Sequence, residues 1–448
     1  MNHVNRTRIE LVSFLVLGFT NNFHYLMIMM ASQNIVNSFE VSHLISVFFL
    51  ILTASGLVSQ FSNMLFVSII KEYRHKMFLV IILDFFGIAC LALSASIDVG
   101  NKNGFLITLF GISLISASSC IGEAVALSYT KFFSPNCIQM WHFGFGFAAI
   151  FSSICYISSV YIEIRHFYMV LIVSFTIPIH AIVFYCILER IKKTSVQWTQ
   201  TPIKGEEKAV TGTFVLISEE DEMKEEQEMN ENWKSTGESE LEQKVMLLKT
   251  ENKTNANGII NTLKNMCPYI PNTLFICYIE EIILIGFAGD VFLKEEYRYW
   301  IVKNSFSVFA ACYSIGGILG TAAALFPRFD VHGKLSRIIL MQLANAVFWF
   351  FQWRYKFVTR FVGIGVGFSV LFVSMCFVGF FFSLCYISSF NHMKRVFLEE
   401  KPFSGSENYC DTAINITTMG MSAISIFSSF SCFVLTNLIF KNQFISSS

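Results

Sequence analysis

The chain has 448 residues, 54% of them hydrophobic and only 14% charged, whereas an ordinary soluble domain carries about a quarter charged residues. That excludes a soluble globular protein. Lysine plus arginine number 32 and aspartate plus glutamate also 32, so no net field gathers nucleic acid or an acidic partner. With 49 phenylalanines and only 7 prolines, the composition predicts an all-α polytopic membrane protein with the lipid bilayer as its main environment.

A hydrocarbon core roughly 30 Å thick takes about 20 apolar residues per helical crossing, and stretches of that size recur about eleven times. Their approximate limits are 10–31, 43–70, 77–97, 104–130, 140–162, 166–188, 270–292, 302–326, 335–352, 357–388 and 411–439. The first is read as a retained helix, because it holds no convincing small-residue cleavage site. The least defined stretch is 335–388, whose polar break consists of Trp353, Arg354, Lys356 and Arg360.

Between the sixth and seventh stretches the composition changes. Residues 191–268 are acidic and poor in aromatics, with the run SEEDEMKEEQE at 218–228. Such a segment buries too little apolar surface to offset its ordering entropy and is expected to be a disordered, solvated loop. It divides the chain into residues 1–190, an N-terminal bundle of six helices, and 269–448, a C-terminal bundle of about five.

Lysine and arginine in the short connectors favour a cytosolic N-terminus. Arg6, Arg8, Lys71, Arg74, Lys76, Arg190, Lys192, Lys193, Arg328, Lys334, Arg337, Lys394 and Arg395, among others, fall on one side, against a smaller set led by Arg298, Arg354, Lys356 and Arg360 on the other. The acidic loop is then cytosolic too. Asn-x-Ser/Thr sequons stand at Asn5, Asn252 and Asn415; the first two face the cytosol on this topology and the third begins a helix, so none is expected to carry glycan. Digestion with an N-glycosidase should leave the electrophoretic mobility unchanged, and a glycan mapped to Asn252 would reverse the orientation.

Ionisable and amide side chains inside these stretches are the informative ones, since a charge at the bilayer centre costs roughly 2.5–3.5 kcal/mol even on lenient insertion scales. In GFTNNFHY, residues 18–25, Asn21, His24 and Tyr25 stand at i, i+3 and i+4 and share a face that must meet protein or water. The fourth stretch carries Ser116, Ser119, Cys120 and Glu123 on one stripe. In WHFGFGF at 141–147, Gly144 and Gly146 are read as packing residues; the string lacks the context of a dinucleotide site.

The strongest single signal is Tyr278, Glu280 and Glu281 within CYIEEIILIG at 277–286. Adjacent carboxyls on a helix point about 100° apart, so Glu281 is assigned to a central cavity and Glu280 to a neighbouring helix. A carboxyl so placed is a candidate for reversible protonation, the physical requirement of proton coupling. Arg298 and Lys303 stand near a membrane face, where they snorkel or meet an anionic substrate. The 12 cysteines show no CxxC pair and no clustering with histidine, so they read as small buried hydrophobes and no metal or cofactor is expected. No HExxH, GxSxG or phosphate-binding glycine loop is present, which argues against an enzyme.

Several strings together resemble the battenin family: GFTNNFHY, GEAVALSY at 122–129, WHFGFG at 141–146, the tyrosine and glutamate of the seventh stretch, Tyr297-Arg298, and YISSFNHM at 386–393. The resemblance implies a major-facilitator-like fold in a lysosomal or vacuolar membrane, linked to lysosomal pH homeostasis, basic amino acid content and clearance of glycerophosphodiesters. The family's buried glutamate falls on Glu281 and its double asparagine on Asn21 and Asn22. Animal members end in a prenylation-type cysteine motif, where this chain reads FISSS; the dileucine-like Leu247-Leu248 has Gln243 where an acid is expected. Targeting thus follows from the resemblance alone.

The leading expectation is a transporter exporting a small polar metabolite, with protons as a second partner. Its path is expected to run along Asn21, Asn22, His24, Tyr25, Glu123, Tyr278, Glu281, Arg298 and Lys303. A basic amino acid suits the glutamates, whereas a glycerophosphodiester needs His24, Lys303 or Arg298. The alternatives are an equilibrative nucleoside-type carrier, and a non-transporting scaffold that recruits trafficking proteins through the acidic loop.

Overall fold

In a computed structural model, the described residues are 3–41, 44–65, 72–97, 102–134, 136–162, 172–193, 270–288, 291–292, 300–326, 335–395 and 406–446. The acidic loop expected at 191–268 lies almost wholly outside them. The helices are α1 (His3–Ser38), α2 (Ile45–Leu65), α3 (Tyr73–Ala95), α4 (Lys102–Tyr129) and α5 (Cys137–Tyr161). Next come α6 (Ile172–Lys193) and α7 (Ile270–Phe287). The later ones are α8 (Ser305–Ala324), α9 (Leu335–Tyr355), α10 (Ile364–Lys394) and α11 (Ser406–Ser446).

Among the described residues ten helices are long and apolar enough to cross a membrane. The expected stretch at 335–352 does form a helix, α9, but falls outside those ten. Arg337, Gln342, Asn345, Gln352 and Arg354 lower its hydropathy. Its amides turn inward, where backbone carbonyls satisfy them: Gln342 Nε2 donates to Val378 O at 3.3 Å and Gln352 Nε2 to Val291 O at 2.9 Å. The polar break expected beyond it is real. Lys356 takes a left-handed backbone, φ 52°, and ends α9.

Helix α1 packs along α5, α3 along α4, and α8 along α10. These contacts are backbone-close because glycines line them. A Cβ on Gly144 would stand 2.1 Å from Leu15 O, and one on Gly379 would stand 1.9 Å from Tyr313 O. In a lipid environment, where burial of apolar surface drives association little, such van der Waals fit and small residues hold helices together. The first six helices meet the later ones chiefly along α5 with α8 and α2 with α11.

Two helices widen into π turns, α6 over Ile182–Leu188 and α7 over Ile282–Phe287. The second begins immediately after Glu281. π turns insert a residue into the helical ladder and recur at functional positions.

Because the atom met at Gly144 is backbone, no rotamer change makes room for a side chain there. Gly144→Val is expected to cost about 3 kcal/mol or more, measured as a lowered thermal unfolding midpoint in detergent.

Candidate functional site

The helices enclose a central hollow between the first six and the later ones, with about 190 Å³ open to the centres of water-sized molecules. By that measure a single water needs only ~10–15 Å³. Its wall draws Asn22, Tyr25 and Met29 from α1, Ser119, Cys120 and Glu123 from α4, and Trp141, His142 and Phe145 from α5. The other side supplies Cys277, Glu280 and Glu281 from α7, Tyr313 from α8, Phe382 and Tyr386 from α10, and Thr418, Ser422 and Ser425 from α11.

Each carboxyl in this wall has a hydroxyl partner on another helix. Tyr386 donates to Glu123 Oε1 at 2.6 Å, joining α10 to α4. Ser425 donates to Glu281 Oε1 at 2.9 Å, and the Tyr313 hydroxyl bonds Glu280. His142 Nε2 lies 2.8 Å from Ser383 Oγ, and its ring stacks on Tyr386 with centroids 4.8 Å apart. The floor of the hollow is therefore a polar, aromatic seam crossing between the two halves of the chain.

Both carboxyls of the Glu280-Glu281 pair line the hollow, where only Glu281 was expected to. The hollow reaches from α8 round to α11, an arc wide enough to take in two residues 100° apart. Cys277, Glu280 and Glu281 bring one sulfur and two carboxylate oxygens within 4.8 Å of one another. That donor set suits a cation, either a metal ion or an ammonium group.

The asparagine face of α1 is rotated from its expected position. Asn22 and Tyr25 face the hollow. Asn21 instead packs between helices, its Nδ2 donating to Ser119 O at 2.9 Å while its Oδ1 occupies the space a Cβ on Gly122 would need. His24 also points elsewhere. Its Nδ1 lies 3.1 Å from Asp84 Oδ2, and its Nε2 lies 3.2 Å from Val173 O and against the Thr176 hydroxyl, inside the α1, α3 and α6 packing. The close α1–α5 crossing at Gly144 fixes this rotation.

Tyr278 likewise leaves the hollow: its hydroxyl donates to Ser431 at 3.3 Å and its ring meets Phe427 at 5.6 Å. Arg298 lies outside the described residues. Lys303 ends a short helix, Trp300–Lys303, and its side chain is also outside them. Sequence reasoning missed Tyr386, Tyr313 and His142 as members of the wall. His142 and Tyr386 lie within strings already singled out, WHFGFG and YISSFNHM, and a polar aromatic inside an apolar run was the available signal.

An all-helical chain whose halves enclose a polar hollow at mid-membrane has the form of a major-facilitator-like membrane protein. Solved structures support that class: a proton:xylose symporter bound to 6-bromo-6-deoxy-D-glucose aligns with a TM-score of 0.59 at 11% identity, covering 99% of this chain and 91% of its own. A D-xylose-proton symporter aligns with a TM-score of 0.56 at 11% identity, covering 96% and 90%. At the level of sequence, the CLN3 protein family model matches residues 12–439, and the chain belongs to that family. It is also 24% identical over 424 residues to battenin of Dictyostelium discoideum, across 93% of this chain and 92% of that one.

Removing the hydroxyl in Tyr386→Phe strands the Glu123 carboxyl, a loss of about 1.5–3 kcal/mol for a bond to a charged group. Glu123→Gln keeps an acceptor and should lose less. Thermal unfolding of the two variants side by side checks the order.

Proposed function

We propose that this protein is a lysosomal or vacuolar carrier of the battenin type, exporting a small cationic metabolite, a basic amino acid by preference, with proton coupling. One observation carries the substrate class: three carboxyls, Glu123, Glu280 and Glu281, line the central hollow, and no lysine or arginine is among its described lining residues. A carboxylate-walled, aromatic-sided site attracts an ammonium or guanidinium through charge-assisted hydrogen bonds and cation–π contact. A glycerophosphodiester would ask for a cation beside its phosphate, so the basic amino acid is the better match.

The two halves act as two bundles about this site, six helices before the acidic loop and about five after it, with loop and N-terminus in the cytosol. Protons and substrate compete for the same carboxyls, which gives coupling a physical basis and ties the protein to lysosomal pH homeostasis. Family membership supports this reading over an equilibrative nucleoside-type carrier. The hollow, with three carboxyls in its wall, supports it over a trafficking scaffold.

Full-length protein in sealed liposomes should take up labelled arginine or lysine when a pH gradient is imposed. Glu281→Gln should abolish the gradient-driven part. Unchanged driven uptake in that variant would remove the proton role, and absence of uptake by the unaltered protein would remove the substrate class.

A further inference from the structure

The two faces of the membrane domain are built differently. At the end where α1, α3, α5 and α7 begin and α2, α4, α6 and α10 finish, the halves are tied together. Lys131, just past α4, places Nζ 2.8 Å from Asp411 Oδ2 on α11. The Tyr73 hydroxyl of α3 donates to the same carboxylate oxygen. The ammonium of Lys131 also stands 5.3 Å from the Tyr73 ring centroid and 5.1 Å from that of Phe132. Lys394 of α10 reaches back to Thr130 O at 2.9 Å, and Asn63 of α2 to Asn415 Oδ1 at 3.4 Å.

At the opposite end the described residues leave a space between the halves. A second hollow there has about 490 Å³ open to water-sized molecules, between the ends of α1 and α5 and the start of α8. Met30, Phe49 and Ile285 belong to its wall and also to that of the central hollow. The two spaces therefore share part of a wall, and the second lies on the side of the central hollow away from Lys131 and Asp411.

We propose that Lys131, Asp411 and Tyr73 form a latch that seals the closed face, and that parting of this ion pair is the step that opens the central hollow there. The side chains of Lys131 and Asp411 are 7% and 18% exposed, so the pair lies outside the class of solvated surface bridges that contribute little. Removing one partner leaves a charge in a place built for two. The pair joins residues 280 positions apart, on elements of opposite halves, so it opposes separation of those halves and nothing within either one. Lys394 adds a second tie of the same direction, from the later helices to the first six.

The inference rests on the carrier reading only in that a carrier must open on both faces, and its test needs no substrate. Cys120 lies in the wall of the central hollow and serves as a native reporter. Full-length protein carrying an N-terminal affinity tag is reconstituted into sealed vesicles; because α1 begins at the latch face, vesicles captured through the tag present that face outward. A membrane-impermeant maleimide is added outside, and modification of Cys120 is followed by mass spectrometry.

The unaltered protein should react slowly. Asp411→Asn, which keeps size and hydrogen bonding but removes the charge, should speed labelling about tenfold, the change expected from a shift of about 1.4 kcal/mol between closed and open states. The exchanged pair Lys131→Asp with Asp411→Lys should return the rate toward that of the unaltered protein. If Asp411→Asn fails to fold, Lys394→Met, which loses the ties to Thr130 O and Phe133 O and leaves the Lys131–Asp411 pair in place, should also accelerate labelling. Rapid labelling of the unaltered protein from this face, or equal rates in all folded variants, would overturn the latch. Failure of arginine uptake with an intact labelling pattern would instead count against the substrate class alone.

Discussion

Polar groups inside a bilayer must find partners within the protein, and the arrangement of this molecule follows from that demand. Each carboxyl lining the central hollow is met by a hydroxyl from a different helix: Glu123 by Tyr386, Glu281 by Ser425, Glu280 by Tyr313. The first of these bonds ties the two halves together across the hollow, and the other two join helices of the later half. A carboxyl whose partner is a hydroxyl, rather than a lysine or arginine, keeps its capacity to bind a cation or a proton. Had the partners been cations, the site would be spent on itself.

A second polar cluster shows the contrast. His24 and Asp84 face each other within the first six helices, and Thr20, Thr176 and His180 complete a buried set there, Thr20 Oγ1 lying 3.0 Å from His180 Nδ1. These groups face one another and the backbone. They hold α1 against α3 and α6, whereas the acids of the hollow leave room for a guest.

Much of the fold was legible because bilayer thickness imposes a length on every crossing. The stretch at 335–352 was found as a helix for that reason, although its inward amides keep it below the apolarity of the rest. The site was legible in type and in part by position: Glu123, Glu281, Asn22 and Tyr25 do stand at the hollow. Asn21 and His24 do not, because spacing along a helix tells which residues share a face but not where the face points. That depends on the α1–α5 glycine contact, a matter of tertiary packing. The tie between Lys131 and Asp411 was beyond reach for a related cause, since nothing local marks a partner 280 residues away.

The mouth on the open side is lined by Ser32, Asn34, Asn37, Tyr156, Asn304, Ser305 and Ser307, with no ionisable acid or base among its described lining residues. Those amides and hydroxyls alternate with Ile45, Phe49, Val160 and Phe306, so the described rim sets dipoles in an apolar surface. The described rim is thus neutral, and the carboxyls Glu123, Glu280 and Glu281 stand only in the inner wall.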